Sequence, residues 1–195
     1  MHGLINRGIQ RFVIDSYGEA KWHATVKRAG LGFTEFEAMW TYDDAVTPAV
    51  LEAVCDVLDR SLEELLEDIG TYLVSHPNVE ALRRLLRFGG VTFEEFLYSL
   101  DDLRDRTRLA VSNLEIPRLE LVEHNPEQFS LHCYSEQYGW GYLFAGVLRA
   151  MADDYGALAF LEHKGATEGH EIIEIRLLET AFAEGRDFAL GARTA

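Results

Sequence analysis

Cysteine and proline are scarce in this chain of 195 residues, with two of the first and four of the second. Cys55 and Cys133 cannot build a disulfide framework, and neither belongs to a CxxC pair. No stretch reaches the ~18 apolar residues of a membrane-spanning helix, and no basic segment followed by an apolar one opens the chain. Positive charge is short as well: eighteen Lys and Arg face thirty-three Asp and Glu, a formal charge of −15. A field of that sign repels phosphate backbones and anionic lipid, which argues against nucleic acid or a membrane surface as a partner. There is no GxSxG, GxxxxGK[ST], HExxH or Rossmann glycine fingerprint. What is present is ordinary globular composition, 48% hydrophobic and 26% charged, at a length that suits about one domain. The expectation is a cytoplasmic, acidic, non-enzymatic domain.

Helical spacing dominates the first part of the chain. Leu4, Ile5, Ile9, Phe12, Val13 and Tyr17 recur at three- and four-residue intervals and predict an amphipathic helix ending near Gly18. A short helix over Glu19–Ala29 follows, stopped by Gly30. Thr47-Pro48 reads as a third start, with threonine as N-cap and Leu51, Val54, Cys55 and Leu58 as the buried stripe. Ser61-Leu62-Glu63-Glu64 has capping-box spacing and is followed by Leu65, Leu66, Ile69 and Leu73. His76-Pro77 breaks the chain before a helix over about 79–88, which Gly89-Gly90 ends. Thr92-Phe93-Glu94-Glu95 is a second capping box and predicts one long helix to about Asn113.

After Pro117 the period changes. Arg118–Glu123 and Gln128–Tyr134 read as strands around the turn signal Asn125-Pro126. A helix over Trp140–Tyr155 carries Leu143, Phe144, Val147, Leu148 and Met151. Ala157–His163 and Glu171–Leu178 read as a hairpin across Lys164–Gly169, with His163 and His170 placed to meet at its turn. Residues beyond Thr180 show no period and read as a loose tail. The predicted fold class is α+β: a helical N-terminal part, then a small antiparallel sheet crossed by one helix.

Several phrases in this order resemble the H-NOX (haem nitric-oxide/oxygen binding) domains. They are Met1-His2-Gly3-Leu4-Ile5-Asn6, then Thr92 to Leu97 leading into Leu100-Asp101-Asp102-Leu103, and Ile116-Pro117-Arg118-Leu119. Phe129-Ser130-Leu131-His132 and the helix around Gly141–Leu148 continue the likeness. The resemblance covers roughly residues 1–180 as one domain, with 1–60 as a distal-type helical part, 61–180 as a proximal-type α+β part, and 181–195 as a tail. It implies a bacterial-type stand-alone sensor that holds haem and reports gas binding to an effector protein.

The resemblance also places the functional positions. The family's proximal histidine falls on Arg104, counted from Asp101-Asp102-Leu103, and a guanidinium has no lone pair to give to iron. The family's Tyr-x-Ser-x-Arg motif falls on Cys133, Ser135 and Gln137, so only the serine is kept and the cationic clamp for the haem propionates is missing. Ile5, Leu100 and Pro117 complete the residues expected at the cofactor site. Arg104 lies on or at the edge of the inward helix face and is expected to meet a carboxylate or solvent. His76, His132 and Cys133 are the alternative iron ligands, and of His132 and Cys133 only one can face a pocket. No metal site is expected.

Three readings follow. The first is a sensory or interaction domain that signals through a partner protein, with the family's haem binding lost or altered. The second is a haem-based gas sensor with a different axial ligand. The third is a binding protein that takes a small apolar carboxylate in the former haem cavity.

Overall fold

The computed structural model describes residues 1–167 and 169–188. They fall into two compact units: Met1–Leu65 with Val111–Glu115, and Leu66–Ala110 with the chain from Ile116 onward. The division lies inside a helix, a few residues past the 60/61 boundary read from the sequence.

The first unit holds α1 (Gly3–Tyr17), α2 (Glu19–Arg28), α3 (Val46–Leu58) and the start of α4 (Leu62–Ser75). Gly18, at φ 87, closes α1 by donating its N–H to Ile14 O and lets the chain turn directly into α2. Phe12, Val13, Trp22, Val50 and Val54 form its core, together with Phe36 from the loop before α3. Phe36 is fully buried, and its N–H donates to Gln10 Oε1. The N-terminus is tied to the same loop through Gly3 N–H to Trp40 O, and a Cβ on Gly3 would collide with Glu37 O. Asn6 is fully buried and accepts from Thr47 Oγ1 at 2.7 Å. The opening His-Gly-x-x-Asn phrase is therefore a packing requirement of this unit.

Thr47 is not the N-cap of α3. The helix begins one residue earlier, after an Asp43 carboxylate that accepts from Ala45 N–H, while the threonine hydroxyl is taken by Asn6. The two capping boxes fare differently. Ser61 and Glu64 exchange both of their bonds, whereas Glu95 N–H donates to Thr92 Oγ1 but the Glu95 carboxylate accepts from Val91 N–H.

The second unit holds the rest of α4, a 3-10 turn at Pro77–Val79, α5 (Glu80–Arg87), α6 (Phe93–Tyr98), α7 (Leu103–Ala110) and α8 (Trp140–Tyr155). Strands β1 (Arg118–Asn125), β2 (Gln128–Tyr134), β3 (Leu158–Thr167) and β4 (His170–Glu179) form one antiparallel sheet in the order β1-β2-β4-β3. α8 covers the face carrying Phe129, Leu131, Cys133, Ile173, Ile175 and Leu177. Against α4 it packs through glycines. A Cβ on Gly70 would collide with Leu143 O, and one on Gly146 with Glu67 O.

Three expectations are corrected here. The long helix from Thr92 is broken at Ser99–Asp102 into α6 and α7. Arg106 donates to Ser99 O, a carbonyl that a continuous helix would need, and within the break Asp101 Oδ1 accepts from Leu121 N–H of β1 at 2.6 Å. The strands of the hairpin run further than read, to Thr167 and from His170, with a bulge between His163 and Ala166; the intervening Glu168 lies outside the described residues. The segment 181–188 is not loose. Ala183 N–H donates to Gly156 O, Arg186 N–H to Asp154 O, and Arg83 reaches Asp187 O. The remainder of the predicted tail, 189–195, lies outside the described residues.

Candidate functional site

Arg104 is the second residue of α7 and is half-buried. Its Nε is buried without a hydrogen-bond partner, and among the described residues it makes no ion pair. The expected carboxylate contact is absent among the described residues, and exposed Asp101, three residues earlier, accepts from Leu121 N–H of β1. Leu100 directly precedes this turn and is fully buried with Phe96, Leu97 and Leu103 in the core. Pro117 is buried at the start of β1, and Ile5 is half-buried on α1.

The positions aligned with the propionate clamp do not converge on Arg104. Cys133 points into the core beneath α8, and burial, with Glu171 beside it, pushes its thiol far up, so it stays protonated at ordinary pH. Ser135 Oγ accepts from Gln137 N–H at 3.0 Å in a local turn, and Gln137 is exposed. Among the described residues no hydrogen bond links Arg104 to Cys133, Ser135 or Gln137.

The alternative iron ligands are engaged elsewhere. His76 Nδ1 accepts from Asn78 N–H, and its ring lies 4.9 Å from Tyr72. His132 is on the sheet face opposite Cys133, stacked on His170 at 5.1 Å, while Tyr134 carries the Arg118 guanidinium 3.8 Å over its ring. His132 titrates below the ordinary range because of burial and then the neighbouring charge of His170. His163 and His170 do not meet. They lie on opposite faces, and His163 stacks on Tyr142 at 3.8 Å. Among the described residues no group of three or more His, Cys, Asp or Glu could hold a metal ion.

Two buried charge clusters escaped sequence reasoning. Glu171 accepts from Gly139 N–H and Gly141 N–H at the start of α8, and its other oxygen pairs with His163 Nε2 at 3.1 Å. Since His163 Nδ1 accepts from Gly165 N–H, the proton of the neutral ring is on Nε2. At the other end of α8, Asp154 is 1% exposed and accepts from Arg83 at 2.7 Å and Arg87 at 3.3 Å. The signal for the second cluster was Arg83 and Arg87 at helical spacing. Glu171 gave none, being one acid among alternating strand residues.

With this geometry in view, the fold can be placed among known ones. The structure resembles the unliganded Fe(II) H-NOX protein from K. algicida with a TM-score of 0.80 at 16% identity, covering 94% of this chain and 100% of that one. It also matches a Cs H-NOX mutant bearing 4-cyano-L-phenylalanine at site 5, with a TM-score of 0.76 and 15% identity over 94% of this chain and 100% of the other. The class is thus the H-NOX fold. The Haem-NO-binding (HNOB) family model matches residues 2–162, and the chain belongs to that family.

Among relatives, soluble guanylate cyclase gcy-31 of Caenorhabditis elegans is 25% identical over 154 residues, 79% of this chain and 22% of its own length. Soluble guanylate cyclase gcy-35 of the same organism is 28% identical over 156 residues, 78% and 22% of the two chains. Rat guanylate cyclase soluble subunit beta-2 is 27% identical over 94 residues, 48% and 14% of the two chains. The chain spans about a fifth of the length of such relatives. No helix among the described residues is long and apolar enough to cross a membrane.

Proposed function

We propose that this chain is an H-NOX sensory domain that signals through a partner protein and does not ligate haem in the family's manner. The observation that carries this reading is Arg104, whose position the resemblance equates with the proximal histidine. A guanidinium stays protonated at ordinary pH and offers no electron pair to iron. The remaining donors fit haem no better. Cys133 is held as a buried thiol, and a thiolate is what iron would need. Gln137, exposed where the clamp arginine would stand, has no charge to pair with a propionate.

Hemin titrated into the purified protein should therefore give a broad, low Soret band that a gel-filtration step strips. A sharp one-to-one spectrum that survives the column would overturn the reading. Arg104→His combined with Gln137→Arg should raise retention. Cys133 is best left unchanged, because a tyrosine in its place would overpack the core.

A second reading has one observation in its favour. The buried Nε of Arg104 lacks an acceptor, and the carboxylate of an apolar ligand would supply one. Native mass spectrometry of the unmodified protein tests it. A retained organic acid that Arg104→Leu releases would support this reading, and a bare chain mass would remove it.

A further inference from the structure

We propose that the surface strip along the end of α8 is a peptide-docking site, held closed in cis by residues 183–188. It takes a partner segment of the form Gly-Arg-x-aromatic. The inference does not depend on whether haem binds.

The strip begins with the carbonyls that every helix leaves unpaired at its C-terminus. Asp154 O and Gly156 O accept from Arg186 N–H at 2.9 Å and Ala183 N–H at 3.0 Å. The close approach is possible only over glycine. Gly156 has φ 75, and a Cβ there would collide with Ala183 O; Gly185 on the strap passes equally near Asp154 O and Tyr155. The glycine of the Gly-Arg element is thereby selected by shape.

Side chains select the rest. Arg83 donates to Asp187 O at 3.2 Å, a contact that reads backbone and leaves the residue before the aromatic free. The Arg87 guanidinium lies 3.9 Å over the Tyr155 ring, with the Phe188 ring 5.0 Å from it. An aromatic at this last position extends a cation–π stack. The strap's own arginine approaches Asp154 Oδ1 only to 3.7 Å.

The strap can leave without undoing the cluster beneath it. Asp154 already has Arg83 on one oxygen and Arg87 on the other, and both arginines are largely buried. Residues 183–187 are exposed, and only Phe188 is half-buried. A segment with so few buried apolar contacts belongs to the readily opening part of a protein. Once it lifts, the paired carbonyls, the Arg87–Tyr155 platform and the glycine gap are offered to another chain.

The test uses the full chain and a labelled Ala-Glu-Gly-Arg-Asp-Phe peptide, read by fluorescence polarisation. In the unmodified protein the cis strap competes at an effective concentration in the ~mM range, so binding should be weak. Arg186→Ala with Phe188→Ala weakens the strap and should tighten peptide binding by about tenfold or more, with an Ala-Glu-Gly-Ala-Asp-Ala peptide left unbound. Equal or absent binding by the two proteins overturns the proposal. Should the double variant not fold, hydrogen exchange on the unmodified chain decides. The Ala183 and Arg186 amides should exchange at least ~100-fold faster than that of Leu177, and equal protection would mean the strap never opens.

Discussion

Leu100 and Arg104 are four residues apart, and only one of them behaves as its neighbours in sequence suggest. The apolar stripe on the inner side puts Leu100 in the core, and it is fully buried. Leu100→Ala should cost about 2–5 kcal/mol in a urea melt, since it removes buried methyls and leaves a cavity. For Arg104 the half-buried position was legible from the same spacing. Its missing partner was not, because spacing along one helix does not say which carboxylates the rest of the fold brings near. His132 offers a test of sign. The ordinary value is ~6.5. Burial, then the charges of His170 and His124, hold it lower, against an opposing pull from Glu120. The unfolded chain therefore takes up this proton more readily. Its contribution to stability is present above pH ~6.5 and is lost as the pH falls through that value toward the folded one. The urea midpoint should drop between pH ~7.5 and ~5.5, and His132→Gln should flatten that drop.

Among the elements, those with local causes were legible. α8 runs over Trp140–Tyr155 as its stripe predicts, between two glycines in left-handed conformations. The Ser61 and Thr92 starts follow from side-chain capping within four residues. The break between α6 and α7 was not legible, because the bonds found at it, Arg106 to Ser99 O and Leu121 N–H to Asp101, link residues seven and twenty apart. The start of α8 was legible, but what caps it was hidden for the same reason. Its cap comes from Glu171, thirty residues on, and no rule of local spacing reveals it. Glu171→Ala should lower stability by about 3–5 kcal/mol, as expected when one member of a buried charged cluster is removed. Glu171→Gln, which keeps an acceptor oxygen for the glycine amides, should lose markedly less. Equal losses in thermal melts of the two variants would show that the amide bonds contribute little.

For the whole molecule, the formal charge of −15 has a consequence that no single contact carries. Like charges on a compact body repel, and salt shortens their reach to ~8 Å at physiological ionic strength. The melting temperature should rise as NaCl increases from ~10 to ~150 mM. The Asp154 pairs, being buried, should be little weakened by the same salt. A fall in melting temperature would mean that exposed pairs such as Arg149–Glu67 outweigh the repulsion. The α+β class and the order of elements were legible because periodicity survives in a single sequence. How closely α4 and α8 approach was not, since glycine leaves no side chain to read. That approach has a spectroscopic consequence. With no Cβ in the way, one α-hydrogen of Gly70 points at Leu143 O and one of Gly146 at Glu67 O, a reciprocal pair of carbon-donor hydrogen bonds. Each is worth ~0.5–1 kcal/mol. They should appear in proton NMR as two glycine Hα resonances displaced downfield, markers of the α4–α8 contact that any shift of either helix would move.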